Sequence, residues 1–136
     1  MEGWSGGYGR SSVSDLDHDF SISTAAEDGV RVLSVTGQAD LHTAPELRTA
    51  IAAAIDGGAL RLVVDLSDTT FIDSMTLGVL IGGLRRLAPA GGRMAIACPN
   101  RNLRRIFEIT SLDEVLAIAD TRAEAAALTA GGESNA

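Results

Sequence analysis

Between residues 60 and 88 the apolar positions change their period, and this change restricts the fold more than any other feature of the chain. Leu60-Arg61-Leu62-Val63-Val64-Asp65-Leu66 is an aliphatic, β-branched run of strand length, and it reads as a buried strand. Ser67-Asp68-Thr69-Thr70 carries turn chemistry. Beyond it Leu77, Leu80, Ile81, Leu84, Leu87 and Ala88 recur at three and four residues, which makes one face of a helix. A strand feeding into an amphipathic helix is the unit of an α/β layer protein, not of a bundle or a sandwich.

The same alternation continues on both sides. Phe20 and Ile22 alternate with Asp19, Ser21 and Ser23 as a strand with one face toward solvent. Asp28-Gly29 is a hairpin turn signal, and Val30 to Thr36 is the returning strand. Thr43 to Glu46 fits a capping box with Pro45 in the first turn, and Leu47, Ala50, Ile51, Ala54 and Ile55 form the inner face of a helix that Gly57-Gly58 ends. After the helix from Met75 to about Ala88, stopped by Pro89 and Gly91-Gly92, Arg93 to Cys98 reads as a short strand. Pro99-Asn100 opens a helix with Leu103, Ile106 and Phe107 inward, Val115 to Ile118 is a last short strand, and Thr121 to Glu124 is a second capping box. Residues 1–16, rich in Gly and Ser, are expected to be a flexible tail, residues 17–130 one domain, and 131–136 a disordered tail. Trp4 and Tyr8 stand out in the first tail as a local dock or a binding handle.

Charge and composition exclude several functions. The net charge is −7 and there is no Lys, so a nucleic-acid binder is not expected. Arg101, Arg104 and Arg105 are the one basic cluster, read as a solvated helix face, with contact to an acidic partner as the alternative. Cys98 is alone in an apolar run and is expected to be a small buried hydrophobe. No apolar run approaches the ~20 residues of a membrane span and no secretory signal opens the chain, so a cytoplasmic protein without membrane insertion is expected.

Catalysis finds no support in the residues. No Lys exists for a phosphate loop and no GxGxxG follows a strand. His18 and His42 are far apart and Cys98 is single, so neither a metal nor a cofactor is expected. Ser74, His42 and Asp40 could be imagined as a hydrolytic triad, but the GxSxG elbow and any oxyanion hole are missing. The chain reads as a binding protein, not an enzyme.

The start of the helix near residue 74 supplies the positive signal. Asp73 or Ser74 is its N-cap, which leaves the serine exposed and open to modification. With Leu77, Leu80, Ile81 and Leu84 buried, Met75, Val79, Gly82 and Arg86 are expected on the outer face as a smooth apolar docking surface. Gly78, Gly82 and Gly83 each cost about 0.8–1 kcal/mol relative to Ala inside a helix. Close approach by another element would offset that cost, whether the element belongs to the same fold or to a partner.

Three stretches resemble the STAS family, the small domains of anti-sigma factor antagonists that also occur in sulfate transporters. They are Gly37-Gln38-Ala39-Asp40 with Thr43-Ala44-Pro45-Glu46-Leu47; Val64-Asp65-Leu66 through Phe71-Ile72-Asp73-Ser74 to Leu77-Gly78; and Leu103-Arg104-Arg105-Ile106-Phe107-Glu108 with Leu112-Asp113. The middle stretch is the specific one. Met75-Thr76 stands where the family has Ser-Gly, and Gln38 where it has Glu. The resemblance implies a mixed sheet of four or five strands covered by about four helices, and a partner-switching regulator of transcription. On that basis the unphosphorylated protein binds an anti-sigma factor that is also a serine kinase, the kinase phosphorylates Ser74, and a PP2C-type phosphatase reverses it. The partner-binding set expected from the resemblance and the outer helix face is Asp40, Asp73, Ser74, Met75, Thr76, Gly78, Val79 and Gly82. The alternative is a non-switching STAS interaction module of a larger assembly or of a lipid or anion transporter complex.

Overall fold

The structure, a computed structural model of the chain, describes residues 20–130. Expectations for the 1–16 tail, for Trp4, Tyr8 and His18, and for residues 131–136 lie outside the described residues.

Five strands form one sheet in sequential order: β1 (Ser21–Glu27), β2 (Val30–Ala39), β3 (Arg61–Ile72), β4 (Arg93–Ala97) and β5 (Ala117–Ala119). The β1–β2 pair is antiparallel and the other three pairs are parallel. Asp28 and Gly29 both take positive φ, 53° and 82°, as a two-residue turn matched to the twist of a hairpin requires. The parallel steps are made by α1 (Ala44–Asp56), α2 (Ser74–Leu87) and α3 (Arg101–Ile109), and α4 (Arg122–Thr129) closes the described chain.

Parallel strands in sequential order with crossovers of one hand put their helices on one side of the sheet. The packing agrees. The larger core joins Leu33, Val35, Leu62, Val64, Leu66 and Ile96 of the sheet to Leu47 and Ile51 of α1, Leu77 and Leu80 of α2, and Leu103 and Phe107 of α3. The smaller core, on the other face, packs Val30, Val32, Val63, Ala95, Ala97 and Ala119 against Ala125 of α4. Strands sandwiched this way are buried at every position, as the run from Leu62 to Leu66 is, aliphatic apart from Asp65.

α4 is short, and an ionic network holds it to the sheet. Arg122 Nε and a terminal nitrogen each lie 3.0 Å from Asp65 Oδ2, and the guanidinium also donates to Ser34 Oγ at 2.8 Å and Glu27 Oε2 at 3.0 Å. One side chain thus ties α4 to β1, β2 and β3. Burial disfavours ionisation of Asp65, but hydrogen bonds from the Ser67 hydroxyl and amide, together with the Arg122 charge, outweigh it and hold the carboxyl below its ordinary range.

Several local expectations are corrected. Ser67 to Thr70 is not a turn but a continuation of β3, which runs to Ile72. Here Thr36 pairs with Asp68 and Gly37 with Thr69 across two register shifts, and the buried Thr69 hydroxyl donates to the Val35 carbonyl at 2.7 Å. Pairing with β2 overrides the local turn preference. β1 keeps the expected alternation only at its start: Phe20, just before it, and Ile22 are half-buried against the larger core while Ser21 and Ser23 are exposed, and from Thr24 on the strand is exposed. The last strand is displaced to Ala117–Ala119, with Leu112–Glu114 in a single 3₁₀ turn before it.

Candidate partner-docking site

The candidate residues gather where β2 and β3, adjacent and parallel, deliver their C-terminal ends to α1 and α2. The β2–α1 loop is closed by its own polar side chains. Asp40 Oδ1 accepts from the amides of His42 and Thr43 at 2.9 and 3.2 Å. The Thr43 hydroxyl donates to the Gln38 carbonyl at 2.9 Å and accepts from the Asp40 amide at 2.8 Å. The capping box expected from Thr43 and Glu46 is therefore not formed. Thr43 occupies the cap position, but its hydroxyl turns back into the loop.

α2 begins at Ser74, and Asp73 is its cap. Asp73 Oδ1 accepts from the Thr76 amide at 3.1 Å, and Oδ2 accepts from the Leu41 amide at 2.9 Å. One carboxylate thus serves two elements, fixing the first turn of α2 and suspending the β2–α1 loop from it. Thr76 adds a second tie, its hydroxyl donating to the Ala39 carbonyl at 2.6 Å. The ends of β2 and β3 are locked together by these two bonds.

Ser74 is left exposed at the first helical position, and its hydroxyl makes no hydrogen bond among the described residues. The amides of Ser74 and Met75 are first-turn donors outside the helical ladder, and such donors with the helix dipole favour an anion. Large apolar side chains flank this point. Met75 is 44% exposed, Leu41 57% and Phe71 45%.

Two expected contact residues are corrected. Thr76 is fully buried, because its hydroxyl is committed to Ala39 and its methyl to the interior. Val79 is 4% exposed and packs in the larger core, so it lies beneath the surface and not on it. α2 rests against α1 on this side, which turns Val79 toward Ile51 at the base of a cleft between the two helices. Met75, Gly78 and Gly82 do lie exposed on α2, and Asp40 and Asp73 are half-buried at the loop end. Leu41 and Phe71 were missed by the sequence reading. Leu41 sits in a turn-rich loop with no period, and the strand extension that carries Phe71 was not visible.

The glycines divide. A Cβ at Gly83 would come within 2.8 Å of Ile51 Cγ2 and 3.0 Å of Met94 Cε, so this glycine lets α2 sit close to α1 and β4. At Gly78 and Gly82 a Cβ meets nothing within 4 Å.

Other candidates fall away from the site. The His42 ring bonds to neither Asp40 nor Ser74, and only its backbone amide reaches Asp40. Arg104 is engaged internally, paired with Asp120 and donating to the Cys98 carbonyl at 3.4 Å, while Arg101 and Arg105 are exposed. Cys98 is buried, and burial pushes its thiol up from the ordinary value. Among the described residues no His, Cys, Asp and Glu cluster could hold a metal, and no helix is long and apolar enough to cross a membrane.

The fold and the paired strand ends define a STAS domain. The STAS family model matches residues 21–125, and the chain belongs to that family. It is similar to the anti-sigma-B factor antagonist of Staphylococcus aureus, 28% identical over 98 residues, 72% of this chain and 91% of that one. A protein of Thermotoga neapolitana assigned to the anti-sigma factor antagonists is 37% identical over 71 residues, 52% of this chain, and the match spans only 63% of that relative's length. Among solved structures, an anti-sigma factor antagonist from Mycobacterium paratuberculosis superposes with a TM-score of 0.75 at 30% identity, covering 81% of this chain and 93% of that one. The Bacillus cell fate determinant SpoIIAA in its phosphorylated form gives 0.59 at 26% identity, covering 78% and 95%.

Proposed function

We propose that this protein is an anti-sigma factor antagonist switched by phosphorylation of Ser74. Unphosphorylated, it binds an anti-sigma factor that is also a serine kinase; modification by that kinase ends the complex, and a PP2C-type phosphatase restores it. It works in the cytoplasm, by binding and not by catalysis. The observation that carries this reading is the unengaged Ser74 hydroxyl at the first position of α2, with exposed Met75, Leu41 and Phe71 around it.

The physics of the site supports a switch that leaves the fold intact. A phosphate on Ser74 adds about −1.5 to −2 charges at pH 7 and three acceptor oxygens. At a helix N-terminus those oxygens meet free amides and the positive end of the dipole. The same charge lies beside Asp73, on a surface that must lose water to bind, and like charge brought into an interface costs several kcal/mol. Buried Thr76 offers no competing acceptor in this turn, so modification is confined to Ser74.

Incubation with the cognate kinase and ATP, followed by mass-spectrometric mapping, tests the assignment. One phosphate on Ser74 is expected, and none on Thr76. No phosphate on Ser74 leaves the domain as a non-switching interaction module.

A further inference from the structure

We infer that the cleft between α1 and α2 receives an acidic, amphipathic helix from the bound partner. It deepens the proposed function by naming the chemistry of the partner element, and it rests on that reading. The cleft has a volume of about 400 Å³ and is lined by Ile51, Ala52, Gly78, Val79 and Gly82, with Arg48 and Arg86 at its rim.

Three observations converge on this occupant. Gly78 and Gly82 lie four residues apart on one edge of α2, and neither absence of a side chain is used within the described fold. Their helix-interior cost of about 0.8–1 kcal/mol each is offset when another backbone comes closer than a Cβ would permit. Met75, exposed and three residues before Gly78, continues the same stripe to Ser74, so a helix in the cleft runs on from the proposed docking surface. The rim charge sets the partner's sign. In a chain of net charge −7, the cleft lining carries the guanidinium groups of Arg48 and Arg86 and no carboxylate, and Arg86 pairs with Asp56 at 2.8 Å. Arg48 is exposed and has no ion pair among the described residues. An apolar floor beside the unpaired Arg48, with Arg86 shared with Asp56 on the α2 side, matches a helix with an aliphatic face flanked by Asp or Glu.

Selection of a displayed library of random 16-residue peptides against the full chain tests this, with counter-selection against Gly82→Leu, which fills the cleft from open space. The recovered peptides are expected to be amphipathic helices with acidic flanks and to shift the amide resonances of Gly78 and Gly82. They are also expected to lose about tenfold in affinity on Arg48→Glu, the size of one interfacial charge pair. Arg48→Glu changes an exposed side chain, so it keeps the test valid should Gly82→Leu fail to fold. Recovery of basic or non-helical peptides, or of none sensitive to Gly82→Leu and Arg48→Glu, overturns the inference. So does a concentration-dependent dimer broken by the same variants, which would give the cleft to a second copy. Phosphorylation of Ser74 is scored separately, so failure of the cleft leaves the switch standing and the reverse is equally visible.

Discussion

Asp73 accepts the backbone amide of Leu41 at 2.9 Å from a position 32 residues further along the chain. The cap of α2 is therefore also the anchor of the β2–α1 loop. Asp73→Ala should cost about 0.5–2 kcal/mol for the lost cap and should also free the loop. Hydrogen exchange of the Leu41 and Thr76 amides is expected to accelerate together. Acceleration at Thr76 alone would mean that Leu41 is held by other contacts.

The glycines of α2 should respond in opposite directions. Gly78→Ala and Gly82→Ala place a methyl in open space and are expected to stabilise the free domain by about 0.5–1 kcal/mol each. Gly83→Ala drives a methyl into Ile51 and Met94 and is expected to destabilise by about 1–3 kcal/mol. Urea titrations with unchanged slopes report both.

Asp65 makes stability depend on acid. Folding lowers its pKa despite burial, through Ser67 and Arg122. The stabilisation is fully present above the unfolded-state value of about 3.9 and is lost as pH falls through the lower folded value. Asp65→Asn should cost about 1–3 kcal/mol at pH 7 and flatten the decline in stability below pH 4. Arg122→Ala should loosen α4, with faster exchange at Ala125. Thermal unfolding across pH 2–7 measures the first effect.

The buried Cys98 thiol, raised by desolvation, should react with a disulfide reagent only as fast as the domain opens. Its rate in native buffer is expected to fall well below that in urea. Equal rates would place the thiol at the surface.

Much of the fold was legible because the chain states its periods plainly. The run through Leu62 and Val64 and the three-and-four spacing from Leu77 gave β3 and α2, and Asp28-Gly29 gave the hairpin. What was hidden depended on partners distant in sequence. Ser67 to Thr70 looks like a turn until β2 pairs with it, and Thr43 looks like a cap until Asp40 and Gln38 claim its hydroxyl. The site was partly legible. The motif around Asp73 and Ser74 drew attention to the right turn, but helical spacing alone could not tell which flank of α2 meets α1. That spacing alone places Val79 on the outside and carries no signal for the exposure of Leu41 and Phe71.

The affinity for the cognate anti-sigma factor, measured by calorimetry before and after stoichiometric phosphorylation, tests the central claim most directly. A loss of about a hundredfold or more is expected, since like charge at an interface costs several kcal/mol, together with an unchanged circular dichroism spectrum and a similar melting temperature. An affinity that survives a phosphate on Ser74 would contradict the account.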